Sequence, residues 1–564
     1  MYKINVNDRQ YREYTIVDSK TLKKVDVQIN AVQHKLFTQD IFTIHETGVV
    51  NIEHSSVRSM SVIPAVLVLE GNKMFGKYKD RFLYKCLPDD KRLPIFLVPY
   101  KIKSGFSKKL TNKYITFEFR NWDNKHPMGV ITQTLGDVTQ LTSFYEYQLY
   151  CKSLYASIQN FTKQTMRRLK KQSEEEFVSQ IIQTYKLEDR RASHDVVTID
   201  PKGSKDFDDG FTIQNNGSNY VLSIYIANVS IWMDMLDLWE SFSNRIATIY
   251  LPDRKRPMLP TILSDALCSL QENRTRFAFT LDITIDPRTN EILDTRFLNC
   301  AVCVRRNLRY DTSEQENDEI YTKALGLIRN LNKKYKYMDS IDTSHDFIAY
   351  IMILMNYISA KEMKNRKIGI YRSAKYNTDF KPPDNISSDV RKFLKMWNSS
   401  GGSYVKFENI SGHEILDLDA YVHITSPIRR LVDLLNIIQF QKNLGIIVLQ
   451  DKAMSFYERW TNDDAFEYIN TTMRSIRKVQ NDCSLLKLCT SDQKIMDAEH
   501  DAFIFDKITR NDSLYQYMVY IPDINMVNRV TSRHDIDNYS RRKCKLYLFT
   551  DEIRLKTKIR ISLI

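Results

Sequence analysis

Four aspartates lie within ten residues of one another in the segment 198–210. They are Asp200, Asp206, Asp208 and Asp209. Carboxylates held this close raise one another's pKa and cost folding free energy unless a cation compensates them. Hard oxygen ligands of this kind suit Mg²⁺, and also Mn²⁺. Two such ions about 4 Å apart would stabilise both the attacking and the leaving oxygen of a phosphodiester displacement, so the cluster favours hydrolysis of nucleic acid.

The same aspartates are compatible with two other interpretations, a solvated acidic turn and a structural Ca²⁺ loop. Strand-like residues flank the segment at 196–199 and 211–213, which indicates a loop anchored in a core. The spacing does not follow the EF-hand ligand pattern. The aspartate cluster by itself therefore favours a catalytic metal site only slightly over the two alternative interpretations.

A second segment whose residues could bind a reacting group covers residues 421–435. Ser426 can serve as a helix N-cap and Pro427 as the first helical residue, with apolar residues following at helical spacing. The first amides of this helix and the Arg429 guanidinium are then expected to converge on one point, which suits a phosphate. We expect one of Arg429 and Arg430 to pair with a carboxylate instead.

The pattern of strands and helices that must position these residues predicts a multidomain α+β protein. Strand patterns fill the N-terminal part, a helical pattern follows, and a mixed α/β region holds both motifs. In that region we predict helices at 319–334, 347–364, 431–443 and 454–488. The predicted domains are a small cold-shock-like β-barrel at 1–65, a second at 66–143, a helical connector at 144–190, the mixed α/β domain at 191–490 and a C-terminal β-barrel at 498–564.

Charge and composition narrow the class of partner. Lys and Arg total 82 against 69 Asp and Glu, a net charge of +13, which favours nucleic acid or an acidic membrane surface. No apolar run is long enough to span a bilayer, and the first residues lack the apolar core of a signal peptide. We therefore expect an intracellular, cytoplasmic protein without a membrane partner, whose eight cysteines are ordinary thiols.

Together the two motifs resemble the RNase II (RNB) family, which includes RNase R and the exosome's hydrolytic exonuclease. The family's TIDP turn leading to DFDD stands at 198–209, and its HFTSPIRR pattern stands at 423–430 with Ile424 in place of Phe. Further matches follow in the family's order at Tyr250-Leu251-Pro252, Met258-Leu259-Pro260, Cys268-Ser269-Leu270 and Arg276-Phe277-Ala278-Phe279.

This resemblance implies a mixed α/β RNB catalytic domain flanked by small OB-fold barrels, and no PIN nuclease domain. It implies a 3′→5′ exoribonuclease that hydrolyses single-stranded RNA to nucleoside 5′-monophosphates, with Mg²⁺ or Mn²⁺ as cofactor. The implied metal ligands are Asp200, Asp206, Asp208 and Asp209. The implied catalytic residues are Asp208, Arg429 and Tyr310. The implied RNA-binding residues are Tyr250, Arg276, Arg372 and Arg430.

The chain departs from the family at two positions that carry glutamates in relatives. These are Ala349 and Tyr350, and the glutamates they replace contact the end of the substrate. The grip on the RNA end is therefore expected to differ, which leaves processivity and final product size open. The rival hypothesis is a catalytically weak RNA-binding scaffold, and a DNA-directed nuclease ranks last. The abundance of Tyr, Asn, Ile and Lys would suit a viral member of the family.

Overall fold

The structure is a computed structural model that describes residues 1–102, 110–310, 312–375, 381, 383 and 386–564. It divides into two compact units. Unit 1 comprises residues 1–155, 251–253 and 477–564, and unit 2 comprises residues 156–250 and 254–476.

Two sheets occupy the N-terminal part of unit 1. Their strands are β1 (Tyr2–Val6), β2 (Tyr14–Asp18), β3 (Ile41–Ile44), β4 (Val50–His54), β5 (Ile63–Leu67), β6 (Lys77–Tyr78), β7 (Arg81–Pro88), β8 (Phe96–Tyr100), β9 (Lys113–Asn121) and β10 (Met128–Asp137). The first sheet has the order β2-β1-β3-β4. The second has the order β5-β9-β10-β8-β7-β6, and β5 also pairs with β7, so the sheet closes on itself.

Unit 2 is built on a six-stranded sheet and two separate two-stranded sheets. Its strands are β11 (Glu188–Asp189), β12 (Val196–Asp200), β13 (Asp209–Asn215), β14 (Tyr220–Ala227), β15 (Ile249–Tyr250), β16 (Lys255–Arg256), β17 (Thr275–Ile285), β18 (Ile292–Arg309), β19 (Ile370–Lys375) and β20 (Ser400–Lys406). The sheet order is β11-β18-β12-β13-β14-β17, with β17 also pairing with β18, while β15 pairs with β16 and β19 with β20.

The C-terminal part of unit 1 is a five-stranded antiparallel barrel. Its strands are β21 (His500–Thr509), β22 (Tyr515–Ile521), β23 (Met526–Ser532), β24 (Arg541–Asp551) and β25 (Lys556–Leu563). The order β23-β22-β21-β24-β25, with β23 against β25, is the arrangement of a five-stranded Greek-key barrel. The predicted multidomain class, with a mixed α/β region and small β-barrels, is confirmed.

The helices of the two units vary from one turn to eight. They are α1 (Ser56–Ser59), α2 (Leu141–Cys151), α3 (Gln159–Leu169), α4 (Glu174–Tyr185), α5 (Val229–Met235), α6 (Ser313–Glu316), α7 (Glu319–Lys334), α8 (Ser344–Asn365), α9 (Ser388–Trp397), α10 (Leu431–Asn443), α11 (Asp451–Trp460), α12 (Asp463–Ser491) and α13 (Gln493–Asp497).

Two apolar cores cover opposite faces of the six-stranded sheet. Successive residues of a strand point to opposite faces, and in β14 Tyr225 belongs to one core while Ile224 and Ile226 belong to the other. A strand covered on both faces needs apolar residues at consecutive positions. This explains why β14 and β17 carry nearly continuous apolar runs.

The predicted helix 454–488 is wrong in one respect, because it consists of α11 and α12. The Oδ1 atom of Asn462 accepts the amide hydrogen of Ala465 at 2.8 Å, which caps the start of α12. Asp463 and Asp464 then occupy its first turn, where negative charge is favourable. A local capping signal therefore divides a segment whose apolar periodicity is continuous.

The predicted connector 144–190 does not coincide with a unit of the structure. Helix α2 packs on β5, β9 and β10 within unit 1, whereas α3 and α4 belong to unit 2. The remaining domain limits stay predictions. None of the helices among the described residues is long and apolar enough to cross a membrane.

A buried ion pair in unit 2 offers a test of this fold. The Arg190 guanidinium donates to both oxygens of Asp282 at 2.8 and 2.6 Å, and Ser223 adds a third hydrogen bond to that carboxylate. We expect Arg190→Met to lower the free energy of unfolding by about 3–5 kcal/mol, because Asp282 would remain buried without its partner.

The neighbouring pair provides the matched control for this measurement. Arg191 and Asp189 form an exposed ion pair, so Arg191→Met should cost less than about 1 kcal/mol. Urea unfolding followed by tryptophan fluorescence measures both variants. Equal losses for the two variants would contradict the structural role assigned to Arg190.

Candidate active site

The aspartate loop is fixed at both ends by the sheet and in the middle by a buried hydroxyl. Asp200 ends β12 and Asp209 begins β13. Ser269 Oγ accepts the amide hydrogen of Phe207 at 3.0 Å and donates to the carbonyl of Lys205 at 2.8 Å. These contacts hold the loop in one conformation despite the repulsion among its carboxylates.

Asp208 is the most buried of the four, with 4% of its surface exposed. Its Oδ1 accepts the amide hydrogen of Ile428 at 2.9 Å, and its Oδ2 accepts from Nε of Arg429 at 3.0 Å. Burial raises the pKa of Asp208 to about 7, although Arg429 and the Ile428 amide act in the opposite direction. The contact brings together residues 220 positions apart in sequence.

Asp200 and Asp209 lack such compensation. Burial and repulsion by Asp209 raise the pKa of Asp200 to about 8, and burial raises the pKa of Asp209 to about 6, with Arg429 opposing the shift. Oδ2 of Asp200 is inaccessible to solvent and has no hydrogen-bond partner among the described residues. A buried carboxylate oxygen in this state is stabilised either by a proton or by a cation.

Asp206 faces a different set of partners. The Lys255 ammonium donates to Asp206 Oδ1 at 2.8 Å and to Asp265 Oδ1 at 2.9 Å. The Tyr250 hydroxyl donates to Asp206 Oδ2 at 3.2 Å. Burial lowers the pKa of Lys255, but the hydrogen bonds to the two carboxylates outweigh it and leave the pKa above its ordinary value.

The donor set fits a divalent ion that keeps most of its water. Within the part of the chain that the structure describes, no three carboxylate, imidazole or thiolate groups are arranged so that they could enclose a metal ion. Mg²⁺ is commonly held by one or two carboxylates together with waters and substrate phosphate, and not by an all-protein cage. Asp200, with its unpartnered buried oxygen, and the neighbouring Asp209 match that mode of binding.

The predicted helix start at Ser426 is wrong. Helix α10 begins at Leu431 with Arg430 as its N-cap, and residues 427–429 form a turn. The Ser426 amide donates to Asp433 Oδ1 at 2.8 Å, so this segment folds back on the first turn of the helix. The Ile428 amide, which was expected to meet a phosphate, is used by Asp208.

Tyr310 lies beside the aspartates at the end of a neighbouring strand. It follows β18, in which Arg309 is the register partner of Asp200, and its amide donates to the Asp200 carbonyl at 3.1 Å. The Tyr310 ring stacks on His345 with centroids 3.7 Å apart and planes inclined by 11°. This pair forms an aromatic platform next to the loop.

Arg430 and Arg372 belong to a second polar cluster around His423. Arg430 pairs with Asp433 at 2.9 Å and Arg429 with Asp208 at 3.0 Å, so both arginines of the motif bind a carboxylate where one was expected to. The Arg372 guanidinium lies 5.0 Å above the ring of Tyr404. Burial and the charges of Arg430 and Arg372 lower the pKa of His423 well below its ordinary value, so His423 is neutral.

Arg276, which the resemblance assigned to RNA binding, is buried next to the residue that clamps the aspartate loop, and its contact with RNA stays a prediction. Its side chain is buried and donates to the carbonyls of Ser269 and Thr275 and to the Glu174 carboxylate. Because Ser269 clamps the aspartate loop, Arg276 acts as a structural support of that clamp.

Three groups at the site were missed from the sequence. They are the Lys255 ammonium, the Ser269 hydroxyl and the Ile428 amide. Ser269 stood within a recognised motif, Cys268-Ser269-Leu270, so its position carried a signal. Neither the ion pairs of Lys255 nor the direction of a backbone amide has any signature in the sequence.

The fold agrees with comparisons to known proteins. Residues 188–338 match the family model described as "RNB domain". Ribonuclease R of Mycoplasmopsis pulmonis is 34% identical over 150 residues, which cover 26% of this chain and 20% of the relative. Ribonuclease R of Chlamydia pneumoniae is 24% identical over 326 residues, covering 45% of this chain and 47% of the relative.

Solved structures extend the likeness of fold to the whole chain. RNase R of Mycoplasma genitalium, in complex with ribose-methylated single-stranded RNA, superimposes with a TM-score of 0.69 at 16% identity and 100% coverage of both chains. Yeast Ssd1, described as a pseudonuclease, gives a TM-score of 0.58 at 12% identity, covering 94% of this chain and 78% of Ssd1.

Residues 188–338 therefore match the RNB domain family, the relatives of this segment include ribonucleases named RNase R, and the predicted resemblance is confirmed. The aligned segments span between a fifth and about half of the length of these two curated relatives.

The raised carboxyl pKa values predict an unusual pH dependence of the metal-free protein. Asp200, Asp208 and Asp209 bind protons more tightly in the folded than in the unfolded chain, so stability is greatest in acid and falls as the pH rises through their folded pKa values. Each titrating group contributes a loss of about 1.4 kcal/mol per pH unit. Urea midpoints measured in EDTA between about pH 5 and pH 8 should decline.

Added Mg²⁺ should restore stability chiefly at the alkaline end of this range. Asp200→Asn should flatten the decline, because it removes one titrating group and one repulsive charge. Asp237→Asn, a change in a partly buried carboxylate of unit 2 that pairs with Arg168 and Lys452, should leave the slope as in the wild type. Stability that rises with pH in EDTA would contradict the assignment.

Proposed function

We propose that this protein is a 3′→5′ hydrolytic exoribonuclease that degrades single-stranded RNA to nucleoside 5′-monophosphates with Mg²⁺ as cofactor. The observation that carries the proposal is the convergence of Asp208 and Arg429 beside the unpaired Asp200 and Asp209. Homology to RNase R through the RNB domain supports the same reaction.

In the proposed reaction, a water oxygen attacks the phosphorus of the last phosphodiester and the bond to the 3′ oxygen breaks. The departing 3′ oxygen gains a proton, and a nucleoside 5′-monophosphate leaves. A bound Mg²⁺ would polarise the phosphoryl oxygens and lower the pKa of water. Asp200 and Asp209 are the residues that would hold it.

The chain's own residues then position the reacting groups. The hydrogen bonds from Ile428 and Arg429 fix the Asp208 carboxylate in a single orientation. The Arg429 side chain is 43% exposed, so its terminal nitrogens can reach a phosphoryl oxygen and stabilise the charge that develops there. The half-exposed Tyr250 and the stacked Tyr310 provide aromatic surfaces for the terminal bases.

The second candidate is an RNA-binding scaffold without catalysis. Tyr350, at a position where relatives carry a glutamate, is buried and donates its hydroxyl to the carbonyl of Tyr335 at 3.0 Å. It therefore cannot grip the substrate end. The fold of a pseudonuclease, yeast Ssd1, resembles that of this chain, which also favours this candidate.

Incubation of 5′-labelled single-stranded RNA with Mg²⁺ tests the proposal. The wild type should produce a ladder of progressively shorter products, and Asp208→Asn should reduce the rate at least about 100-fold. Asp237→Asn serves as the matched control and should retain full activity. Intact RNA in every reaction, with binding retained in a filter assay, would favour the scaffold.

The substitution Arg429→Lys tests whether the positive charge of Arg429 or its hydrogen-bond geometry is needed for catalysis. Lysine keeps the positive charge but cannot donate to Asp208 and to a phosphate with a planar fork. We expect kcat to fall about 10²–10³-fold with a small change in KM. The same substitution at Arg459, an exposed arginine of unit 2 lying over Trp460, should leave both constants unchanged. A change confined to KM would contradict a role in the transition state.

A further inference from the structure

Lys255 makes the closest cationic contact to Asp206. Its ammonium bridges Asp206 and Asp265, with N–O distances of 2.8 and 2.9 Å, and only 23% of the side chain is exposed. Two carboxylate oxygens on either side of one cation form the kind of arrangement that a metal ion adopts in a site of this type. The Lys255 ammonium therefore occupies the position between Asp206 and Asp265.

The β15–β16 hairpin holds this ammonium in place. Lys255 is the register partner of Tyr250, whose hydroxyl donates to the other oxygen of Asp206. Both oxygens of Asp206 therefore accept hydrogen bonds from one small element of structure. Asp265, in turn, is oriented by the Ser264 hydroxyl and thus keeps Lys255 directed at the loop.

The opposite side of the cluster lacks any comparable group. Among the described residues, no cationic side chain forms an ion pair with Asp200 or Asp209. Arg429 is engaged with Asp208, and Lys255 with Asp206. The positive charge still required therefore lies at Asp200 and Asp209, where one divalent ion with its waters suffices.

We infer that Lys255 takes the place of a second divalent cation, so that the chain binds one ion, at Asp200 and Asp209, where two were expected from the sequence. This inference rests on the proposed metal-dependent function, because it concerns how many ions that reaction employs. Asp206 is then a partner of the Lys255 ammonium, which is a positive charge fixed beside the aspartate loop.

Counting bound Mn²⁺ tests this directly and without reference to activity. Electron paramagnetic resonance of free Mn²⁺, recorded during titration of the full-length protein, should give about one ion per chain for the wild type and about two for Lys255→Met. Lys255→Arg, which retains the charge, should stay near the wild-type value. Lys452→Met, which alters an exposed lysine paired with Asp237, is the matched control and should not change the count.

Two tightly bound ions in the wild type, or one in Lys255→Met whose thermal unfolding remains cooperative, would overturn the inference. If Lys255→Met does not fold, the ion counts of the wild type and of Lys255→Arg still test the inference. Two ions bound to either of them would show that the Lys255 side chain does not replace a metal ion. RNA shortening by a wild type with two ions would leave the exonuclease intact and remove only the role of Lys255. One ion in the wild type and two in Lys255→Met, without any RNA shortening, would support the role of Lys255 and contradict the exonuclease.

Discussion

Mutual repulsion among four partly buried carboxylates is the constraint on which the rest of unit 2 depends. Such groups cost free energy unless each has a partner or remains protonated. Among the described residues, the protein provides ion-pair partners for only two of the four, since Arg429 forms an ion pair with Asp208 and Lys255 forms one with Asp206. Asp200 and Asp209 retain an unbalanced charge that a divalent ion can relieve. Affinity for the ion is thus stored in the fold as unfavourable electrostatic energy.

The sheet supplies the rigidity that this arrangement demands. The aspartate loop joins β12 and β13, and β12 is paired on its other side with β18. Ser269 and its support Arg276 hold the middle of the loop from a different part of the chain. Because these contacts are backbone pairings and buried hydrogen bonds, the carboxylates cannot move apart to lower their repulsion.

The side chains around the charged centre serve either the core or an exposed aromatic surface. Tyr350 is part of the core beneath α8, while the Tyr310–His345 stack lies beside the aspartates. Under the proposed function, this centre would act on an RNA end that the aromatic side chains beside the aspartates hold.

The sequence by itself determined the fold class, helices such as 319–334 and 431–443, and the two motifs that belong to one site, because apolar periodicity and motif order are local properties. Only the tertiary structure decided which carboxylate receives which partner. The contacts of Asp208 with Ile428 and of Asp206 with Lys255 join segments that are distant in sequence. The turn at 427–429 replaced a predicted helix start because Asp433 accepts the Ser426 amide and Asp208 accepts the Ile428 amide. Ion pairs and amide directions depend on how the strands bring distant segments together, and no residue pattern encodes that distance.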